Sequence, residues 1–269
     1  MTVVVDDPLI AGMAIHRVLP LHESSRRLRM LYPECPRVYG VAVMADVSRR
    51  RWWPLQEALT SGRLEAMFAA SAQEMDSRSA AAQQLAATLA HTVIGRVVAL
   101  VVLEGRAWDT GLENLWVHVD SEGAIDWLGV VDPTLRVLPD DPCSTGGPRA
   151  EGTVELPSEA ALATWIAHRC HRSLAPLFAK LYEVSDGAVS VASMWHTVGS
   201  AIVVAATQVP MLGGSSELLG MRRGQAVLDA LVGFRLPVRG AATPHLRGRH
   251  PVRTNHGEGI AKLGQPCLC

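Results

Sequence analysis

The longest apolar stretch of the chain, VSVASMWHTVGSAIVVAATQVP at 189–210, approaches the length needed to cross a bilayer, yet it contains His196 and several hydroxyl side chains. A spanning helix needs about 20 predominantly apolar residues, so this stretch reads instead as a helix buried in a protein core. A second run, HTVIGRVVALVVLEG at 91–105, is interrupted by Arg96 and reads the same way. With 269 residues, 48% of them apolar and 19% charged, the chain is long enough to build a sizeable core, as one large domain or two small lobes.

The character of the chain changes in the middle. Residues 23–33 look helical and stop at Pro33, and VYGVAVMADV at 38–47 fits a strand or a short buried segment. From Leu55 to about Gly105 strong helix formers dominate, with Ser77 or Ser79 placed to cap the second of two packed helices. NLWVHVDSEGAIDWLGVVDPTLRVL at 114–138 then alternates apolar and polar residues around the turn DSEG, which predicts a hairpin that TLRVL extends. PDDPCSTGGPRAEG at 139–152 is dense in Pro, Gly and Asp and predicts an exposed loop. Helices resume behind Ser158 as an N-cap, and again at 190–208 and 215–234. The expected fold is therefore α+β and mostly helical, with two lobes around a small antiparallel sheet. The expected divisions are an N-terminal lobe at 1–138, a linker at 139–157, a helical lobe at 158–236 and an irregular tail at 237–269.

A net charge of -1, from 25 basic and 26 acidic residues, gives no global field to gather nucleic acid or an anionic membrane. Basic clusters occur locally at 24–30, 48–53 and 245–253; most such clusters are solvated faces, and the remainder bind anionic ligands. The five cysteines, Cys35, Cys143, Cys170, Cys267 and Cys269, have no disulfide-framework spacing. The N-terminus MTVVVDDPLIAG has no basic region before its apolar run, so a reducing cytoplasm is the expected location and no transmembrane segment is expected.

Motifs that carry chemistry are sparse. There is no P-loop, dinucleotide-binding glycine pattern, G-x-S-x-G or H-E-x-x-H. In AHRCHR, His168 and His171 share a helical face and could meet one metal ion, with Cys170 turned to the core. GGSS at 213–216 fits either an anion on free amides or a simple turn and cap. Cys267-x-Cys269 offers two soft sulfurs to one iron, zinc or copper ion, and His256 is the nearest upstream candidate for a third ligand.

Three stretches resemble the FhuF-like ferric-siderophore reductases, whose helical and sheet regions are also similar to the C-terminal domain of siderophore synthetases of the IucA/IucC type. The first, at 81–128, resembles the family's long helix and small sheet, with an "EN" step at Glu113 and Asn114. The second, HRCHRSLAPLFAKLYEVSDGAVSVASMWHTVGSAIVVA, resembles its helix pair with a Trp-centred motif, here Met194-Trp195-His196-Thr197. The third is the tail RTNHGEGIAKLGQPCLC, which resembles the family's closing Arg-x-Cys-Cys and Cys-x-x-Cys motif. Arg253 and Thr254 fall on the Arg-x step, and Asn255 and His256 stand where the family has its cysteine pair. Cys267 follows after ten intervening residues, where the third cysteine is expected, and Cys269 comes one residue early.

The resemblance implies a 2Fe-2S cluster that passes one electron to a ferric siderophore, after which the weakly held ferrous ion leaves. Such a cluster needs soft anionic ligands on both irons. On this implication the chain is a ferric-siderophore reductase with altered ligation, an oxidoreductase holding a cluster or a single iron on His256, Cys267 and Cys269 and supplied by an electron donor. His250 or His245 would add an imidazole, or Cys170 a thiolate. The alternative is a cluster-less relative that binds a siderophore-like molecule or acts in its biosynthesis, with Glu113, Asn114, Trp195 and Arg253 lining the cleft. A third possibility is a non-catalytic interaction module.

Overall fold

A computed structural model describes residues 19–143 and 151–239. The order of elements is α1 (Pro20–Met30), β1 (Val41–Val43), β2 (Trp52–Pro54), a 3-10 turn (Leu55–Leu59), α2 (Arg63–Met75), α3 (Arg78–Ala90), a π-helical turn (His91–Gly95), α4 (Arg96–Glu104), β3 (Leu115–Val119), β4 (Ile125–Val130), β5 (Leu135–Val137), β6 (Thr153–Glu155), α5 (Glu159–Val184), α6 (Val191–Gly213) and α7 (Glu217–Gly233). The α+β, mostly helical expectation holds.

Serine starts four of these helices for the same reason. A helix leaves its first amides without partners, and a hydroxyl at the N-cap accepts from one of them. Ser77 accepts from the Ala80 amide at 3.3 Å, Ser158 from Ala161 at 3.2 Å, Ser190 from Ser193 at 3.1 Å and Ser216 from Leu219 at 3.3 Å. The GGSS segment is thus a turn, with Gly214 left-handed at φ +62°, followed by a cap.

Helices α3 and α4 run on through the π-helical turn. The whole of 78–104 is long and apolar enough to cross a membrane, but 83% of its most apolar window is buried inside the protein. Its partners are α6 and α7, which come from beyond the predicted linker, and one hydrophobic cluster runs through Leu89, Val97, Leu100, Phe178, Trp195, Ile202 and Leu231. The two predicted lobes therefore share a core. Removal of this much apolar surface from water, at about 25 cal/mol per Å², is the main force holding the helices together.

The four-stranded sheet has the order β1-β4-β3-β2, and the predicted hairpin is its centre. Asp120 closes the turn by accepting from the Glu122 amide at 2.8 Å and the Ala124 amide at 3.0 Å. The sheet is mixed instead of antiparallel throughout, because β1 runs parallel to β4. TLRVL does not extend this sheet; β5 pairs in parallel with β6 in a separate two-stranded ribbon.

The predicted exposed loop departs furthest from expectation. Asp141 is buried there, holding the Arg106 guanidinium in a two-pronged hydrogen bond of 2.6 and 2.9 Å. An Arg buried after α4 needs an anion, and this segment supplies it.

Candidate functional site

The β3–β4 pairing has a bulge between His118 and Val119: His118 opposes Trp127, Val119 opposes Ile125, and Asp126 is the extra residue. A bulge turns a side chain out of its regular alternation. Here it lets the Asp126 carboxylate reach back across the hairpin, where Oδ1 lies 2.7 Å from His118 Nδ1. Oδ2 of the same carboxylate accepts from the Arg37 guanidinium, which arrives from the segment between α1 and β1. An ionised carboxylate only accepts, so Nδ1 of His118 donates to it, and in the neutral imidazole Nε2 is then the acceptor. The Asp126 contact is the ring's one hydrogen bond among the described residues, and His118 lines a cavity. The ring is 5% exposed and packs at 5.4 Å between centroids against Trp52, so its orientation is held from both sides.

This ring forms one wall of a cavity of about 530 Å³, lined by Arg37, Ser48, Arg50, Arg51, His118, Asp120 and Ser121. Arg50 and Arg51 are exposed and have no acidic partner among the described residues. Their neighbours are spoken for: Arg49 lies over the Trp116 ring at 5.1 Å and Arg63 over Trp53 at 5.0 Å. Arg51 takes a left-handed backbone with φ +65°, unusual for a residue with a side chain and a form of strain that collects at binding sites. Its carbonyl accepts from the Val119 amide at 3.2 Å, tying the turn to the bulge. In the basic cluster at 48–53, arginines without an acidic partner among the described residues thus line an open cavity. In the cluster at 24–30, Arg27 is absorbed by Glu23 at 2.7 Å and Glu104 at 2.5 Å; the cluster at 245–253 lies outside the described residues.

A second cavity, of about 580 Å³, adjoins the first through Arg37 and Asp120 and is lined also by Glu34, Cys35, His91, Arg96 and Asp126. Arg96 donates to the carbonyls of Gly40 at 3.0 Å and Asp126 at 2.9 Å, so it clamps the approach to β1 onto the hairpin. Burial pulls its pKa down to about 10, and its Nε has no acceptor among the described residues. His91 donates Nε2–H to the Val38 carbonyl at 2.8 Å, and burial and the neighbouring Arg96 charge hold it neutral, with a pKa of about 4. A Cβ at Gly95 would lie 2.8 Å from His91 Nδ1, so this glycine permits the π-helical turn.

The residues marked by the sequence are elsewhere. Glu113 is bound to Arg169, which also holds Asp109 at 2.6 Å, and the Arg169 hydrogen bond keeps its carboxyl below the usual range. Asn114 uses its whole amide on backbone. Nδ2 donates to the carbonyls of Asp109 at 2.8 Å and Asp132 at 3.3 Å, and Oδ1 accepts from Val131 at 3.1 Å and Asp132 at 2.6 Å. Trp195 is 4% exposed and meets Phe178 edge-on with centroids 5.3 Å apart. These three do not come together around one cavity. His256, Cys267, Cys269, Arg253, His245 and His250 lie outside the described residues.

Cys170 does not suit a thiolate role. It is fully buried, shares a 3.3 Å contact with the Thr110 hydroxyl, and burial pushes its pKa up to about 12. A metal ligand must be deprotonated. His168 and His171 do face one way, but towards the Phe234 ring, at 6.1 and 6.2 Å. Among the described residues no three His, Cys, Asp or Glu side chains are grouped to hold a metal ion. Comparisons with protein-family models, with curated proteins and with solved structures find no match.

His118, Asp126 and Arg37 were not singled out by sequence reasoning. The signal available was slight: a His and an Asp placed on either side of a predicted turn.

Proposed function

We propose that the chain is a relative of the FhuF-like ferric-siderophore reductases that binds an anionic, oxygen-rich molecule of the siderophore kind, in the cleft between the 48–51 turn and the β3–β4 hairpin. One observation carries this reading: Arg50 and Arg51, without acidic partners among the described residues, line the same cavity as the unpartnered Nε2 of His118. Guanidinium groups offer paired donors to carboxylate and other planar oxyanions. The chemistry is that of binding, and it needs no cluster. Free thiols at Cys35, Cys143 and Cys170 accord with a reducing, cytoplasmic location.

Trp52 stands against His118 and should report occupancy by fluorescence. Titration with ferric citrate is expected to quench it saturably. The Arg50→Ala, Arg51→Ala double variant should weaken binding by about 100-fold or more, since each charged hydrogen bond contributes about 1.5–3 kcal/mol. Its melting temperature should stay close to that of the parent, because exposed, unpaired side chains contribute about 0.5 kcal/mol or less to stability. Equal binding by parent and variant would remove the cleft from consideration.

The reductase reading rests on a different observation, the spacing from His256 to Cys267 and Cys269 in the sequence. A four-thiolate 2Fe-2S cluster does not fit the donors at hand, since Asn255 is no thiolate and Cys170 is held as a buried thiol. Anaerobic reconstitution with iron and sulfide separates the two readings. The binding reading expects neither iron nor sulfide in stoichiometric amount. Stoichiometric iron and sulfide that disappear in Cys267→Ser would establish the reductase reading instead.

A further inference from the structure

Arginines alone do not distinguish one oxyanion from another, because every oxyanion accepts hydrogen bonds. The third wall of the cleft is different in kind. His118 Nδ1–H is committed to Asp126 Oδ1 at 2.7 Å, and the carboxylate is itself anchored by Arg37, so the neutral imidazole is held as the tautomer with its lone pair on Nε2. The groups that face this ring are Asp126 and Arg37 on its Nδ1 side, Trp52 on its flank, and Arg50, Arg51 and Asp120 around the cavity. In the neutral ring Nε2 is therefore an acceptor in a cavity whose cations, Arg37, Arg50 and Arg51, are donors and whose one carboxylate is that of Asp120.

We propose that His118 makes the cleft selective for oxyanions that still carry an O–H. A ligand of this class gives its hydroxyl proton as a hydrogen bond to Nε2 and takes hydrogen bonds on its remaining oxygens from Arg50 and Arg51. Hydrogen phosphate and phosphate monoanions belong to the class, as does a chelator that retains a hydroxyl before iron displaces the proton. Sulfate, of nearly the same size and shape, has no proton near neutral pH and presents an acceptor to an acceptor. A polar atom desolvated by the ligand and left facing its own kind is penalised by about 1–3 kcal/mol, which is about 5- to 150-fold in affinity. Asp126 is a positioning residue here, since it acts on the ligand only through the imidazole.

This inference rests on the cleft being an anion site, and the test separates the two. Inorganic phosphate and sulfate are titrated at fixed ionic strength and neutral pH, with Trp52 fluorescence and calorimetry as readouts. The parent is expected to prefer phosphate by about tenfold or more. His118→Phe keeps a ring against Trp52 but offers no acceptor, and its phosphate-to-sulfate ratio should fall to about one. Asp126→Asn, whose amide can donate to Nδ1 and so place the proton on Nε2, should shift the ratio towards sulfate. A thermal melt of each variant guards against loss of fold, and the ratio is insensitive to any uniform weakening that a structural role would produce. A parent ratio near one, or a ratio that survives in His118→Phe, overturns the inference while leaving the anion site standing. Failure of both anions to bind removes the anion site and this inference with it. To tell a phosphate-bearing ligand from a hydroxyl-bearing chelator, acetohydroxamic acid is compared with acetamide. Preference for the hydroxamic acid that is lost in His118→Phe extends the selectivity to chelators, and equal binding of the two probes restricts it to phosphate.

Discussion

Replacing Asp141 by Asn is expected to lower the unfolding free energy by about 3–5 kcal/mol, the usual consequence of leaving one charge of a buried pair without its partner. The Asp141 side chain is 2% exposed and that of Arg106 7%, and the two share bonds of 2.6 and 2.9 Å. Arg106 would retain Glu104 at 3.1 Å and Ser24 at 3.2 Å, which do not replace a two-pronged carboxylate. The Asp141 carboxylate also accepts from the Cys143 amide at 2.8 Å, a bond that the Asn carbonyl oxygen can keep. Exchanging both partners for apolar residues, Arg106→Met with Asp141→Leu, should cost much less than the single change, because no uncompensated charge remains. Acid titration provides a second check. Burial pushes the Asp141 carboxyl up, but the Arg106 hydrogen bonds outweigh it, and the net shift is below the ordinary value of 3.8. A folded pKa below the unfolded one means that the contribution is complete above the unfolded value and is lost as pH falls through the folded value. Urea unfolding of the parent between neutral pH and about pH 2 should therefore show a steeper acid limb than that of Asp141→Asn, in which the other lowered carboxyls such as Glu113 still titrate. A loss under about 1 kcal/mol would mean that the pair behaves as a solvent-screened surface bridge.

The same residue illustrates what a chain's local pattern conceals. Its neighbourhood, rich in Pro, Gly and Asp, has the chemistry of an exposed loop, and its turn residues do make turns. What local pattern lacks is the knowledge that Arg106, 35 positions away, is buried and in need of an anion. The hairpin at 115–130 was legible because alternation and a DSEG turn are short-range signals, whereas the partner of TLRVL was not. Its bulge was not, because register depends on both strands at once, and with the bulge went the contact between His118 and Asp126 on which the site depends. The arginines at 50 and 51 were legible as a cluster, but a cluster becomes a site only when another segment supplies the opposite wall. Arg96 likewise reads as a flaw in an apolar run, and the structure makes it a clamp between two neutral carbonyls. Helix starts were the most legible feature, since a serine at the N-cap acts on an amide only three residues ahead.

Trp195 tests the difference between a motif and a site. By resemblance it lines a substrate cleft; in the fold its indole is 4% exposed, edge-on to Phe178 and 5.9 Å from the His171 ring. Replacing it by Ala should cost about 3–5 kcal/mol through lost contacts and the cavity left behind. For a domain of this size that corresponds to a fall in melting temperature on the order of 10 °C. Trp195→Phe preserves an aromatic partner for Phe178 and should lose less than half as much. The anion affinity of either variant, measured below its melting range, should stay within about twofold of the parent, because interactions far apart with no shared partners are nearly independent. The opposite pattern, a normal melting temperature with abolished binding, would place Trp195 at a ligand and move the functional cleft away from the hairpin to the helix pair. Between these outcomes lies a distinction that resemblance alone does not draw. The resemblance is the same whether this tryptophan holds a ligand or only the helices behind it, and stability and affinity measured on one variant assign it to one role.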